Sequence, residues 1–270
     1  MKIGVTKVSG VVLSFLSGER ISGGRITAIE DEGLELCTDS DGKFGPFEWP
    51  IGEPITLVFE KTGSLWSGYR TTQSATLIVP PEGINDDNYL KNITFQVPSH
   101  LACKFLSWAM GVTEDTQACQ IAATITPPNT TMDDIPQGVA DVEVTLSPKV
   151  SNKPFYFGIF PIIHKTNPFI RTLEATSLDG GVAFLNVPEG EYTLEAKKRD
   201  VIFSAIKIKA RKGVLVNASP PNGPTMLQAP QPNETEKKTN HFNFFKPVAI
   251  GLVLGVGAAA AGSALSTSLQ

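Results

Sequence analysis

The sequence predicts an all-β chain of two antiparallel β-sandwich domains joined by a short helix, with a C-terminal apolar helix after them. Three observations carry this expectation. Short β-branched runs alternate with Gly, Pro and Asp turns through both halves: ITLVF at residues 55–59, ATLIV at 75–79, VEVTL at 142–146 and YTLEA at 192–196. Period-2 runs of this kind read as sandwich strands. Turn residues also repeat without a gap: Thr38, Asp41, Gly42, Pro50, Gly52 and Glu53 recur as Thr176, Asp179, Gly180, Pro188, Gly190 and Glu191, each pair 138 residues apart. Residues 99–110, the Pro-rich run 220–243 and the segment after 247 depart from the β pattern.

Composition narrows the classes. A chain of 270 residues with 41% hydrophobic content is too apolar for disorder and long enough for two cores. Its formal charge of −4 and lack of a basic block argue against a nucleic-acid partner. Three cysteines do not make a disulfide scaffold.

Taken in order, residues 1–98 form the first sandwich, with residues 11–16 needed as strand and not as the core of a signal peptide. The repeated Asp-Gly supplies the positive φ of a tight turn, and the following Pro-x-Gly sits between strands. Residues 99–117 form a helical connector. Ser99 is a suitable N-cap, Gly111 a stop, and Leu101, Phe105, Trp108 and Ala109 share one face, expected to pack on a sandwich, with a partner-binding groove helix as the alternative. Residues 118–219 form the second sandwich, 220–243 a Pro-rich polar linker, and 244–265 the apolar helix.

The first half resembles the carboxypeptidase regulatory-like domain, a transthyretin-like β-sandwich. The residues that carry the likeness are Val8, Gly10 and Val12, then Ile21, Gly23, Gly24 and Ile26, the run TDSDGKF at 38–44, Pro50 with Gly52, and Lys61, Gly63 and Tyr69. A four-residue insertion, Ser64 to Ser67, departs from the pattern. The second half resembles it more loosely through GVADV at 138–142, Asp179-Gly180 and PEGEY at 188–192. The resemblance implies a fold and an adhesion or accessory role, and no activity.

The second half carries an insert, residues 150–172, of roughly twenty residues beyond its counterpart. It contains Phe155, Tyr156, Phe157, Phe160 and Phe169, which are unusually apolar for a loop. Two readings stay open: aromatics folded back onto a core, or an exposed patch that docks a protein partner. Those five residues are the candidate partner-binding set.

At the C-terminus, residues 247–270 hold no charge. Eighteen helical residues from Val248 span about 27 Å, enough for a hydrocarbon core. The expected anchor residues are Val248, Ile250, Leu252, Val253, Leu254 and Val256. Gly251 and Gly255 form a small-xxx-small pair for helix packing and homo-oligomers. Lys237, Lys238 and Lys246 before it place the β-domains on the cytosolic side of a membrane with a single C-terminal span. The alternatives are a soluble assembly subunit and export without a cleavable signal.

Chemistry is sparse. His100, His164 and His241 are scattered, no Cys-x-x-Cys occurs, and neither a nucleophile elbow nor a phosphate loop is present, so no cofactor, metal or enzymatic activity is expected. Cys37 is expected as a buried strand residue, and Cys103 and Cys119 as reduced thiols. Glu195, the nearest acid for a Lys–Asn crosslink, falls on the strand face opposite Tyr192 and Leu194. The leading expectation is a non-enzymatic, membrane-tethered scaffold module. The alternatives are a structural subunit of an envelope, secretion or virion-like assembly and a carbohydrate-binding accessory module.

Overall fold

The structure is a computed structural model that describes residues 4–65, 67–84, 92–131, 134, 137–162 and 165–228. The apolar segment 244–265, with its anchor and packing residues, lies outside the described residues, as do Trp66, His164, His241 and most of the linker. Among the described residues, no helix is long and apolar enough to cross a membrane.

The first half contains β1 (Val5–Ser14), β2 (Arg25–Ala28), β3 (Glu35–Cys37), β4 (Lys43–Pro50), β5 (Pro54–Ile55), β6 (Leu57–Glu60), β7 (Thr72–Ser74), β8 (Leu77–Ile78) and β9 (Ile93–Val97). Helix α1 (His100–Met110) follows. The second half contains β10 (Cys119–Thr124), β11 (Glu143–Ser147), β12 (Phe155–Tyr156), β13 (Gly158–Ile159), β14 (Thr166–Asn167), β15 (Gly181–Val187) and β16 (Gly190–Lys197). It ends with β17 (Ile202–Phe203), β18 (Ile206–Ala210), β19 (Leu215–Ala218) and β20 (Met226–Gln228). Among the described residues the chain is all-β apart from the single helix α1.

Two cores form between facing sheets. In the first, Val8, Val12, Phe44 and Phe95 of the sheet β4-β1-β9 meet Ile26, Leu57 and Phe59 of β2 and β6. In the second, Ile121, Val182, Phe184 and Val216 meet Val144, Leu194 and Ile208 of the sheet β11-β16-β18. Each is the alternating, inward-facing pattern of a two-layer sandwich.

The sequence repeat is a structural one. Thr38 accepts from the Gly24 amide and donates to the Ile21 carbonyl, both at 2.8 Å. Thr176 accepts from the Val142 amide at 3.0 Å and donates to the Val139 carbonyl at 2.6 Å. The glycines that follow, Gly42 and Gly180, have φ of 69° and 71°, the left-handed region a turn glycine supplies without strain. β1 lies antiparallel to β4 and parallel to β9, as β10 does to β15 and β19.

The halves share one eight-stranded sheet, ordered β12-β15-β10-β19-β7-β6-β2-β3. Its seam is the parallel pair β7–β19, with Leu215, Val216 and Asn217 opposite Thr72, Gln73 and Ser74. Gln73 is fully buried there; its side-chain amide donates to the Lys209 carbonyl and accepts from the Arg211 guanidinium, both at 2.8 Å. Beside it the Glu30 carboxylate holds Lys209 at 2.7 Å while accepting from the Thr56 amide and hydroxyl. Thr56 is where the expected strand 55–59 divides: β5 turns to β8 while β6 continues in the large sheet.

Candidate docking surface

Helix α1 begins as expected, with the Ala102 amide donating to the Ser99 hydroxyl at 3.1 Å, and ends at Gly111 with φ 72°. Its orientation corrects the sequence reading for Leu101, Phe105 and Trp108, while Ala109 is buried as expected. The buried residues are Ala102, Ala109 and Met110, whereas Leu101, Phe105 and Trp108 are exposed by 43%, 42% and 68%. Periodicity identifies a stripe but does not say which side the sheet takes. Here Leu106, Met110 and Val112 press on Phe155, Phe157, Ala183 and Leu185, on the outer face of β12 and β15, and small residues let the helix approach closely.

The insert fixes that helix in place. Arg171 donates from Nε and Nη2 to the Ala109 carbonyl, at 2.9 and 2.7 Å, and from Nη2 to Trp108 at 3.2 Å. A cation on the last carbonyls of a helix satisfies groups that have no intrahelical partner. A Cβ at Gly111 would also displace the Arg171 guanidinium from its place beside the helix end. Sequence reasoning missed Arg171, which shares the insert with Lys153 and Lys165 and which nothing in the spacing singles out.

The aromatic candidates divide between core and surface. Tyr156 is buried and its hydroxyl accepts from the Val144 amide at 2.9 Å, closing the open edge of β11. Phe157 is buried under α1, so neither is free to touch a partner. Phe155 is half-buried against Phe157, with ring centroids 5.4 Å apart. Phe160 and Phe169 reach the surface, where Phe169 stands 6.0 Å from Phe105 and from Trp108 in edge-to-face contact, and 6.5 Å from Phe160. These are the separations at which aromatic pairs attract. The result is a four-ring surface built jointly by α1 and the insert, with Leu101 and Ile162 exposed at 43% and 92%.

Beneath the rings runs a groove of about 550 Å³. Its floor is the outer face of the large sheet, including Ala122, Thr124, Ala183 and Asn217, and its walls include Phe105, Phe160 and Phe169. Asp179 lines it as well, only 9% exposed. The repeat makes that burial informative. Asp41, at the same position of the first turn, is exposed. In the second half the hairpin β13–β14 folds over the turn: Thr166 donates to Asp179 at 2.7 Å, and the Ser177 hydroxyl donates to the Phe157 carbonyl at 2.8 Å.

Burial pushes the Asp179 carboxyl up to about 6, against the opposing pull of the Thr166 hydroxyl and the Gly181 amide. A carboxyl whose folded value is raised binds its proton more tightly in the folded chain. It therefore stabilises the fold below its ordinary range, and that stability is lost as pH rises from about 4 to about 6. Asp179→Asn is expected to flatten that part of the stability profile; denaturant melts across this range check it, and an unchanged slope would refute the assignment.

The thiols differ in exposure. All three cysteines are free. Cys37 is exposed at the sheet edge, correcting its expected burial, because β3 is the last strand of its sheet and short. Cys103 and Cys119 are pushed up to about 11 by burial, in Cys103 with help from the Glu114 carboxylate, so neither is an activated nucleophile. Glu195 lies opposite Thr145 in the β11–β16 ladder, beside the core residue Leu194. Among the described residues no cluster of His, Cys, Asp and Glu could hold a metal ion.

No protein-family model matches the chain, and no curated protein is similar to it. The carboxypeptidase regulatory-like resemblance therefore rests on the quoted residues alone. Among solved structures the chain is similar to the TIE protein of Bacillus anthracis, at 12% identity and a TM-score of 0.26, over 80% of this chain and 33% of that one. It is similar to a streptococcal ancillary pilin at 12% identity and a TM-score of 0.22, over 86% and 64%. A minor pilin of Streptococcus agalactiae gives 11% identity and a TM-score of 0.24, over 83% and 98%. The chain thus spans a third of the first and just under two thirds of the second, and TM-scores this low do not place it in a pilin family.

Proposed function

We propose that the chain is a non-enzymatic interaction module that docks a protein partner, within a larger assembly, through the aromatic surface of α1 and the insert. The observation that supports this is the exposure of Phe105, Trp108 and Phe169 as one packed group on a helix clamped by Arg171. Rigid, clustered aromatics give large contact area at low entropic cost, as in the centres of protein interfaces. The uncharged C-terminal run adds a second attachment, either as a lipid anchor or as a helix packed between subunits. Carbonate and detergent extraction of the full chain and of one ending at Asn240 separates those two roles.

The test places a photo-crosslinking amino acid at Trp108 and, as control, at Leu227, which is 65% exposed and lies elsewhere, on β20. A discrete protein adduct from position 108 and none from 227 is the expected result. Phe169→Glu in the same chain should abolish the adduct while changing stability by no more than about 1 kcal/mol, because the site is solvent-facing. Equal labelling at both positions would end the proposal.

A further inference from the structure

The groove under the aromatic rings contains a charge that the chain leaves uncompensated. Asp179 receives two donors, the Thr166 hydroxyl and the Gly181 amide, whereas an ionised carboxylate has about four acceptor positions. Gly181 permits this closeness: a Cβ there would lie 2.3 Å from Asp179 Oδ2 and 2.9 Å from the Phe157 ring. Among the described residues no cation pairs with Asp179. Leaving a buried carboxylate without a counter-charge is unfavourable, and a cation brought to it relieves that cost.

The other charged groups that line the groove are paired, hydrogen-bonded or solvent-exposed. Arg70 and Glu114 form a pair at 2.6 Å. Asp134 accepts from the Thr131 amide and hydroxyl at 2.7 and 3.0 Å. Lys165 is exposed, beside Thr166 on the insert. The site therefore joins one desolvated acid to apolar walls that continue onto an open aromatic surface larger than a single side chain.

We propose that this groove receives a lysine or arginine side chain from an extended segment of a partner protein, its cationic head on the Asp179 carboxylate and its apolar neighbours on Phe160, Phe169 and Phe105. The inference rests on the docking role proposed above and names the chemistry of the partner. Charge complementarity selects a cation, and the adjoining rings select a polypeptide over a free amine, because neighbouring residues have somewhere to lie. Protonation of Asp179 removes the attraction, so binding weakens as the solution is acidified through about pH 6.

The experiment titrates the full chain with acetyl-Phe-Lys-Phe-amide and with its norleucine analogue, which lacks only the charge, following the Thr166 and Gly181 amide resonances. The lysine peptide should bind at least about tenfold more tightly near pH 7.5, consistent with a charge-assisted contact, and lose that advantage near pH 5. Asp179→Asn, which keeps an oxygen for Thr166, should bring the lysine peptide to the level of the analogue. Equal affinity of the two peptides, absence of binding by both, or a preference that survives Asp179→Asn would each overturn the inference. The crosslink at Trp108 reports on the docking surface independently: if it persists when the peptides fail, the surface stands and its cation preference does not.

Discussion

Replacing Gln73 with alanine is expected to lower the unfolding free energy by about 2 to 4 kcal/mol, the range for breaking a buried polar network, and to split one thermal transition into two. Gln73 is the fully buried centre of the seam, and both ends of its amide are used: the amide nitrogen by the Lys209 carbonyl, the oxygen by Arg211. Alanine removes the partner of those two part-buried groups and opens a void beside them. The cores on either side are separate clusters, so each can persist when the seam loosens. Calorimetry decides the point, since a single transition displaced by less than about 1 kcal/mol would mean that the β7–β19 backbone pairing and the Glu30–Lys209 bridge suffice.

A larger loss, about 3 to 5 kcal/mol, is expected for Phe59→Ala. Phe59 is fully buried and packs on Tyr69 with ring centroids 6.5 Å apart. Its ring also occupies the space over Gly24, where a Cβ would stand 2.0 Å from the ring edge. That contact gives a control which plain instability would not. Gly24→Ala should be destabilising in the parent chain by overpacking, yet tolerated when combined with Phe59→Ala, because the obstructing ring has gone. Denaturant unfolding of the four chains yields the coupling energy, and additive effects would show that the ring and the glycine do not share the space.

The duplicated turns were legible because their chemistry is local. Gly42 and Gly180 meet a φ requirement that few residues satisfy, whereas the bonds of Thr38 and Thr176 reach back to Gly24 and Val142 and confirm the repeat only in the fold. The helix ends were legible for the same reason: Ser99 and Gly111 act on their own turn. What could not be read depends on distant partners. Gln73 looks like a loop residue until Lys209 and Arg211 arrive from more than 130 positions away. The aromatic stripe of α1 was found, but its direction was not, because Ala102 and Ala109 prove to be the sheet-facing side. For Phe155 to Phe169 the sequence leaves core and patch both open, and the short hairpin of the insert divides them, with Tyr156 and Phe157 inward and Phe160 and Phe169 outside. Asp179 passed as an ordinary turn acid, since its burial comes from Thr166 and Phe157, and neither belongs to the repeat.

The order of strands at the seam bears on how the protein is made. β7 ends at Ser74, but its neighbour β19 begins at Leu215, so during synthesis the first half waits for nearly the whole second half before its sheet is complete. An unpaired strand edge in a nascent chain is a site for wrong pairing with other chains. The residues of β7 are Thr72, Gln73 and Ser74, none of them apolar, so the waiting edge carries little of the hydrophobic character that drives aggregation. The same polar side chains that look misplaced in a finished interior are suited to the interval on the ribosome, when that interior is still a surface.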